Sequence, residues 1–373
     1  MTGEPIIPTD AAHTPDEVAA ATLVCLSGMT PTRLRALLHH FTSPELALRA
    51  VAAGQLGPQT CDADADVRRG WRDQADPVAM RRRLETRGTR VWLEGTHEYP
   101  IADAVPDRPA VLLAEGRRSD VFTAPRVAVV GTRGATPHGL ADARELGVFL
   151  AGEGVTVVSG LAIGIDAAAH DGAIDAGGDV AGVVATGLDV TYPRRHAILY
   201  DRVRARGMIV AERGFGVGPR PGLFPVRNRI IAALADVVVV VEATLRGGAR
   251  ITAQFALDYG RSVLAVPGSR RNPAAAGTNA LIADGAHPLV EWSDVLVALG
   301  MTAAGTPRGS TSPARPAPTP KARALLDALG GEPANPDQLA SRSALSPQEV
   351  AVALAELERA GWTERAQGVI WPR

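Results

Sequence analysis

The stretch RVAVVGTRG at residues 126–134 decides the fold class, because an apolar run ends directly in a glycine-containing turn. Unbroken runs of valine and alanine are typical of strands that are buried on both faces of a parallel sheet. Five similar runs follow, at VTVVSG (155–160), VAGVVATG (180–187), MIVAE (208–212), VVVVVEA (237–243) and VLAVPG (263–268). Helix-period segments separate these runs, so the sequence predicts an α/β fold with a doubly wound parallel sheet.

Two earlier runs extend the pattern, VWLEG (91–95) and AVLLAEG (110–116). They lack an obvious crossover helix, which a parallel connection requires, so we expect them to lengthen one edge of the sheet. The domain that contains the sheet is predicted over residues 87–300.

Residues 1–86 are predicted to form a separate helical domain, with helices over 16–28, 31–41, 44–53 and 76–87. Thr30 and Ser43 each precede a proline, the arrangement of a helix N-cap followed by a first-turn proline. The segment LSGMTPTRLRALLHHF (26–41) has the shape of a helix-hairpin-helix unit, which can bind nucleic-acid backbones through turn amides. We favour a small packing bundle instead, because this domain carries no excess of positive charge.

The C-terminal part divides into a linker and a small domain. Residues 301–320 are rich in Pro, Ser and Thr and are predicted to be a semi-rigid linker without a core. Residues 321–373 are predicted to form helices over 321–329, 336–341 and 347–360, followed by a two-stranded wing, as in a winged-helix domain. The third of these helices is acidic, which favours protein contact or dimerisation over DNA reading.

Composition excludes several classes of protein. The 373 residues carry a net charge of −1 and only two cysteines, Cys25 and Cys61, without metal-ligand spacing. We therefore expect no metal site, no cofactor and a cytoplasmic location, with neither a secretory signal in MTGEPIIPTDAAHTPDE nor a membrane-spanning run. All but one of the 39 basic residues are arginine, and the single lysine, Lys321, lies outside the sheet domain. Chemistry that needs a Walker A or Schiff-base lysine is thereby excluded.

Arginine and glycine follow the predicted strands, at the sheet edge where open α/β sheets bind ligands. Between Gly187 and Arg250 there are 11 arginines and 5 acidic residues, whereas the whole domain is neutral. Glycines let a backbone approach phosphate closely, helix N-termini offer free amides, and guanidinium groups bind phosphate oxygens in pairs. The strand ends therefore predict a polyanion site.

Three catalytic or cofactor sites fit these strand ends less well. The first turn, GTRGATPHG (131–139), lacks the GxGxxG of dinucleotide sites. Ser159, Asp166 and His170 could suggest a catalytic triad, but the local sequence is not GxSxG. Glu212 and Glu242 end two strands and could form a carboxylate pair, although pairing with nearby arginines is the simpler interpretation.

Several motifs in one order resemble the DNA-processing protein A family, DprA, also called Smf. They are GTR (131–133), SGLAIGIDAAAH (159–170), GLDVTYPRRH (187–196), FPVRNRIIA (224–232), VVVVEA (238–243), ITAQFALDYGRSVLAVPG (251–268) and GTNALIADGA (277–286). The resemblance implies an extended Rossmann-like DNA-binding domain, an N-terminal domain of the SAM or helix-hairpin-helix type, and a C-terminal winged helix.

The resemblance also implies a function without catalysis. Family members bind and protect single-stranded DNA and load the RecA recombinase during natural transformation and recombination. The expected partners are thus single-stranded DNA, RecA, single-strand-binding protein and a second copy of the chain, with no membrane.

The expected DNA-binding residues lie at the matched motifs and at the glycine-rich turn before ITA. They are Gly131, Thr132, Arg133, Ser159, Gly160, Leu161, Ala162, Arg194, Arg195, Phe224, Arg227, Asn228, Arg229, Gly247, Gly248 and Arg250. Tyr192, Phe215 and Phe224 are the aromatic candidates for base stacking. The charged turn RGGAR (246–250) departs from the small Ser-Gly segment usual in the family, and its arginines are expected either to contact phosphate or to pair with Glu242.

Two rival functions remain at this point. A phosphoribohydrolase-like enzyme would carry PGGxGT, and the corresponding stretch EATLRGGARIT (242–252) lacks the proline and the GT pair. A regulator that binds DNA through the winged helix would need a basic third helix, which this chain does not have.

Overall fold

The computed structural model describes residues 13–57, 60–301, 318–330, 333–366 and 368–372. The chain divides into two compact units, Met1–Ala304 and Gly305–Arg373. Most of the predicted linker, residues 302–317, lies outside the described residues. The boundary predicted at residue 86 stays a prediction, since the N-terminal helices and the sheet belong to the same compact unit.

A nine-stranded sheet forms the centre of the first unit, in the order β1-β2-β6-β5-β4-β3-β7-β8-β9. Its strands are β1 Arg90–Leu93, β2 Val111–Gly116, β3 Arg126–Val130, β4 Thr156–Ser159, β5 Val180–Val184, β6 Gly207–Ala211, β7 Val237–Val240, β8 Ser262–Ala265 and β9 His287–Pro288. The strands from β3 to β9 pair in parallel, whereas β1 and β2 add antiparallel at one edge. The predicted Rossmann-like sheet and its lengthened edge are confirmed.

Helices cover both faces of the sheet. They are α6 Pro137–Gly152, α7 Ile165–Asp175, α8 Ala197–Arg206, α9 Leu223–Leu234, α10 Gly248–Asp258, α11 Ala276–Ala283 and α12 Ser293–Ala298. One core contains α6, α7, α8 and the N-terminal helices, and the second contains α9, α10 and α11. Strands such as β5 and β7 are buried along their whole length, as their unbroken apolar runs predicted.

The N-terminal helices are α1 Pro15–Cys25, α2 Pro31–His40, α3 Pro44–Ala52, α4 Ala65–Gln74 and α5 Pro77–Arg87. Thr30 and Ser43 are N-caps, each accepting a hydrogen bond from a backbone amide of the first turn. In the turn between α1 and α2, the Ser27 amide donates to Gln74 and the Met29 amide donates to the Leu26 carbonyl. These amides are engaged within the protein, which favours the packing bundle over a phosphate-binding hairpin.

The second unit is a winged helix, with α13 Pro320–Leu329, α14 Pro336–Ser343, α15 Pro347–Arg359, β10 Thr363–Ala366 and β11 Val369–Pro372. The two strands pair antiparallel, and Ala334 adds a bridge to Ile370. Leucines from the three helices form a core of its own. Across the described part of both units, none of the helices has the length and apolar character that crossing a membrane requires.

Candidate nucleic-acid interface

The strand order reverses between β3 and β7, and a cavity of about 570 Å³ lies at the carboxyl ends of these strands. Such a reversal point is where open α/β sheets bind ligands, because the connections leave to opposite faces there. We call this cavity the strand-end pocket. It is lined by Val130, Gly131, Thr132, Arg133, Ala162, Asp166, Tyr192, Pro219, Arg220, Pro221, Phe224, Pro225, Arg227, Asn228, Ile231, Ala243, Gly247, Gly248, Ala249 and Thr252.

The turn after β3 brings the chain close to its neighbours. The Thr132 amide donates to the Glu242 carbonyl at 2.7 Å, which joins the ends of β3 and β7. A Cβ atom at Gly131 would lie 2.4 Å from Cγ1 of Ile165, so only glycine fits this position. Arg133, two residues after Gly131, is exposed at the rim of the pocket.

The turn after β4 is held by a buried carboxylate. Oδ2 of Asp166 accepts hydrogen bonds from the amides of Gly160 at 3.0 Å and Ala162 at 3.4 Å. Leu161 between them has φ 55°, a left-handed conformation that is rare for a bulky residue and that the surrounding contacts must hold. The turn therefore presents backbone to the pocket in a fixed conformation while the Leu161 side chain is buried.

Arg227 lies beneath this turn rather than at the surface. Its guanidinium donates to the carbonyls of Gly160, at 2.7 Å, and of Val183, and only 6% of the residue is exposed. Burial lowers the pKa of Arg227, an effect that Asp166 opposes, and burial raises the pKa of Asp166, an effect that Arg227 opposes. Arg227 and Asp166 thus act as a buried frame that fixes the floor of the pocket.

An aromatic pair and an arginine form one wall. The rings of Tyr192 and Phe224 are 5.4 Å apart, and the guanidinium carbon of Arg133 lies 4.9 Å from the centre of the Phe224 ring. Such cation–π contacts orient an arginine without neutralising it. Phe215, the third aromatic candidate, is buried under Arg83 and is not part of this wall.

The opposite wall is the N-terminus of α10. Its N-cap is Gly247, which supplies no side-chain acceptor, and Gly247, Gly248 and Ala249 line the pocket. The Arg250 amide donates to the Gly247 carbonyl at 3.2 Å, which leaves the amides of Gly248 and Ala249 without a cap from the N-cap side chain. The Asn228 side chain donates to the Gly248 carbonyl at 3.1 Å and ties α9 to this helix end. Free amides and the positive end of a helix dipole attract an anion.

Four arginines around the pocket remain exposed and form no ion pair within the described residues: Arg133, Arg194, Arg195 and Arg220. Other arginines of the same region are neutralised. Arg202 pairs with Asp171 and Asp175, and Arg204 contacts Glu115 at 3.5 Å. The four exposed arginines therefore leave positive charge available to a ligand at the pocket.

The pocket and a side cavity of about 80 Å³ that shares its residues bring together eleven of the predicted residues. These are Gly131, Thr132, Arg133, Gly160, Ala162, Arg195, Phe224, Arg227, Asn228, Gly247 and Gly248. Their role in DNA binding stays a prediction.

The other five predicted residues do not line either cavity. Ser159 is buried and its hydroxyl donates to the Val129 carbonyl, and the Leu161 side chain is buried in the core. Arg194 is exposed beside the side cavity. The structure gives Arg229 an ion pair with Glu212, and Arg250 donates to the Leu245 carbonyl and contacts Asp284.

Two features of the pocket were not assigned to the site from the sequence. The sequence suggested Asp166 only for a triad, and Arg220 is one of the 11 arginines counted between Gly187 and Arg250 without a place in the predicted site. A buried aspartate that holds two turn amides has no signature in local sequence, whereas the arginine between two prolines, PRP (219–221), could have marked a rigid rim.

The catalytic alternatives do not find support in the geometry. Ser159 and Asp166 are both committed to backbone groups, and burial lowers the pKa of His170 to about 4. Glu212 binds Arg229, as the simpler interpretation expected. Glu242 instead accepts from the amide and hydroxyl of Thr136, so its expected pairing with Arg246 or Arg250 is wrong. Among the residues that the structure describes, no cluster of three His, Cys, Asp or Glu side chains could hold a metal.

Comparisons with known proteins identify the family. Residues 90–300 match the profile of the DNA recombination-mediator protein A family, and residues 309–368 match that of the DprA winged helix domain. Protein Smf of Synechocystis is 30% identical over 93% of this chain and 96% of its own length. The chain therefore belongs to the DNA recombination-mediator protein A family, DprA/Smf.

Solved structures agree with this assignment. The X-ray structure of DprA from Streptococcus pneumoniae is 31% identical, covers 77% of this chain and 98% of its own, and superposes with a TM-score of 0.64. A structure of DNA processing protein A from Helicobacter pylori, described for its single-stranded DNA binding mode, is 27% identical, covers 57% of this chain and 95% of its own, with a TM-score of 0.51.

Proposed function

We propose that this member of the DprA/Smf family binds single-stranded DNA in the strand-end pocket and acts without catalysis. The observation that carries the proposal is the set of four exposed arginines without acidic partners in the described chain, gathered around a pocket with an aromatic wall. Single strands are held by basic grooves that follow the backbone and by aromatic platforms that stack bases.

Each wall has a separate part in binding. Arg133 and Arg195 bind phosphates at the rim, and the uncapped N-terminus of α10 binds a phosphate by its free amides. Tyr192 is 39% exposed and stacks on a base, with Phe224 behind it. Because these contacts are to phosphates and base faces, we expect little sequence preference.

The shape of the pocket favours a single strand over a duplex. Stacking on Tyr192 requires a base whose face is free, and paired bases in a duplex are stacked on their neighbours. A cavity of about 570 Å³ accommodates individual nucleotides but not the full width of a double helix.

The proposed role in the cell is argued from the related proteins rather than from the geometry of the pocket. The Helicobacter pylori relative is described by its single-stranded DNA binding, and the curated relatives are named as DNA processing proteins. We extend this to a protein that protects incoming single strands, loads RecA onto them in the presence of single-strand-binding protein, and acts as a homodimer.

The test is a comparison of affinity for single- and double-stranded DNA by gel shift, with wild type and Arg133→Ala. We expect single-strand binding to weaken about tenfold, the cost of a lost charge-assisted contact, with weak duplex binding throughout. Arg133 suits this test better than Arg227, since removal of Arg227 would leave the carbonyls of Gly160 and Val183 without a donor and destabilise the fold.

Arg49→Ala is the matched control, because Arg49 is an exposed arginine of α3 that pairs with Glu45 and lies in neither cavity. Equal affinity of wild type and Arg133→Ala for single strands, or tighter binding of a duplex than of a single strand, would refute the proposed function.

A further inference from the structure

A second cavity, of about 600 Å³, lies between the N-terminal helices and the loop that follows β6. We call it the hairpin groove, since the turn between α1 and α2 forms one of its walls. It is lined by Val24, Cys25, Leu26, Ser27, Gly28, Met29, Thr30, Pro31, Leu34, Ala110, Val111, Glu212, Arg213, Gly214, Phe215, Gly216, Val217, Gly218, Arg220 and Leu223.

The groove and the strand-end pocket share one lining residue. Arg220 lines both cavities, and its neighbours Pro219 and Pro221 line the pocket whereas Gly218 and Leu223 line the groove. The side chain is exposed and forms no ion pair in the described part of the chain. A chain of phosphates that reaches Arg220 from the pocket therefore arrives at the mouth of the groove.

Arg213 is the unusual residue of the groove. It is half-buried at the end of β6, and within the residues that the structure describes it has neither an ion-pair nor a hydrogen-bond partner. Burial lowers the pKa of its guanidinium, which the neighbouring Glu212 only partly offsets. A partly desolvated cation without a counter-ion costs free energy unless an anion joins it.

The acidic residue of the groove is already occupied. Glu212 forms an ion pair with Arg229, so it offsets the burial of Arg213 only through its charge and not through a direct ion pair. Four glycines of the groove carry no side chain that would keep a sugar-phosphate backbone at a distance: Gly28, Gly214, Gly216 and Gly218. Phe215 is 6% exposed and offers no face for stacking, so the groove suits a backbone rather than bases.

The loop that carries Arg213 is held in place from both sides. The Phe215 amide donates to Sγ of Cys25 at 3.3 Å, and a Cβ atom at Gly214 would lie 2.6 Å from Cα of Cys25. The Gly216 amide donates to the Asp189 carboxylate at 2.8 Å, and Arg83 of α5 binds the same carboxylate at 2.9 Å. The groove is thus formed before a ligand arrives, which lowers the entropy cost of binding.

We propose that a single strand bound in the strand-end pocket continues past Arg220 into the hairpin groove, where Arg213 binds a further phosphate. This proposal rests on the proposed function. It adds the path that the DNA takes out of the strand-end pocket and a second group of residues that contact it. The N-terminal helices then take part in binding as a wall of the groove, without direct use of the turn amides that Gln74 and Leu26 already occupy.

The test measures fluorescence anisotropy of labelled oligothymidylates of about 6 and about 16 nucleotides, within the site sizes of single-strand-binding folds. The proteins are full-length wild type, Arg213→Ala and the charge control Arg49→Ala. We expect Arg213→Ala to bind the longer strand about tenfold more weakly and the shorter strand as wild type does. The slope of log affinity against log salt should fall in magnitude by about 0.7 for the longer strand alone.

Three results would overturn the inference. Unchanged binding of the longer strand means that the strand does not enter the groove. Equal weakening at both lengths means that Arg213 acts through the shape of the pocket. A polyglutamate peptide that binds wild type and loses binding in Arg213→Ala, with DNA binding unaffected, means that the groove takes an acidic protein segment.

Two controls separate these results from other failures. Arg213→Ala should unfold at the same temperature as wild type or at a higher one, because no protein partner is lost and a partly buried unpaired charge is removed. Arg213→Lys should restore part of the affinity for the longer strand. Failure of the proposed function itself would give a different result. Wild type would then not bind the short oligonucleotide, or Arg133→Ala would bind it as tightly as wild type does.

Discussion

Arg227 and Arg229 lie two positions apart on α9, and the helix turns them to nearly opposite sides, roughly 200° apart. Arg227 enters the floor of the strand-end pocket, whereas Arg229 pairs with Glu212 on the far side of the helix. The sequence motif RNR (227–229) could not show this, since it counts both arginines equally. A residue's position after a strand predicts that it lies near the carboxyl edge of the sheet. The direction of its side chain decides whether it also lines the strand-end pocket.

The same distinction explains Ser159 and Leu161. Ser159 ends β4 and Leu161 follows it, as predicted, but β4 is buried on both faces and the Leu161 side chain, in its left-handed turn, is buried in the core. What the turn can offer a ligand is backbone, and backbone contacts are not encoded in residue type. The pocket positions of Arg133, Ala162, Gly247 and Gly248 could be predicted because these residues lie in the turns that follow strand ends.

Gly160 provides a residue-scale prediction. A Cβ atom there would lie 2.6 Å from Oδ2 of Asp166 and 2.7 Å from Nη1 of Arg227, both of which are buried and hydrogen-bonded. We expect Gly160→Ala to lower the free energy of unfolding by about 2 kcal/mol through overpacking and to weaken single-strand binding about tenfold, because the turn is displaced. Chemical denaturation and anisotropy measure the two effects.

Gly152→Ala is the control for this substitution, since Gly152 ends α6 and a Cβ atom added there would meet nothing within 4 Å. Wild-type stability and affinity in Gly160→Ala would show that the Asp166–Arg227 frame does not fix the turn.

At the scale of elements, hydrophobic pattern predicted the described sheet strands well, because parallel strands buried on both faces leave little ambiguity. Helix α4 was not predicted. Its sequence ADVRRGWRDQ contains a glycine, and its N-cap Asp64 makes no side-chain cap. The helix is held by tertiary contacts instead, with Trp71 fully buried and its indole donating to the Ser27 carbonyl at 2.8 Å. Propensity alone cannot reveal an element that packing stabilises.

The N-terminus of α10 allows an element-scale prediction about a backbone donor. Gly248 is the first helical residue, a position where proline fits because its amide has no partner within the helix. Gly248→Pro therefore removes one amide hydrogen from the pocket with little strain. We expect about tenfold weaker single-strand binding, measured by anisotropy, if this amide binds a phosphate.

Gly248→Ala serves as the comparison, because it adds a Cβ atom in ordinary van der Waals contact, 3.9 Å from Nδ2 of Asn228, and keeps the amide. The role of the helix end would be disproved by equal affinity of the proline and alanine variants.

For the whole molecule, a net charge of −1 conceals how charge is arranged. Ion pairs neutralise several arginines away from the pocket, whereas four arginines near the reversal of strand order are exposed and form no ion pair among the described residues: Arg133, Arg194, Arg195 and Arg220. Counting charged residues along the sequence indicated a local excess of arginine between Gly187 and Arg250. The acidic partners that neutralise individual arginines could be found only from the fold. The sequence also did not predict that the N-terminal helices pack into the same core as the sheet.

The winged helix gives a prediction at this scale. It has its own core, and the residues of the strand-end pocket all belong to the other unit. A chain that ends at Met301 keeps every residue that lines the pocket and should therefore bind a short single strand within about twofold of wild type. Loss of that binding in a truncated chain that still unfolds cooperatively would place part of the DNA site in the winged helix.

The salt dependence of single-strand affinity tests the central claim most directly, because it counts the phosphates that the protein neutralises. For an oligothymidylate of about 6 nucleotides, four arginines that each neutralise one phosphate give a slope of log affinity against log salt near −3. We predict this slope for wild type between about 0.05 and about 0.2 M salt, and a shallower one for Arg133→Ala. An affinity that does not change with salt would contradict the account.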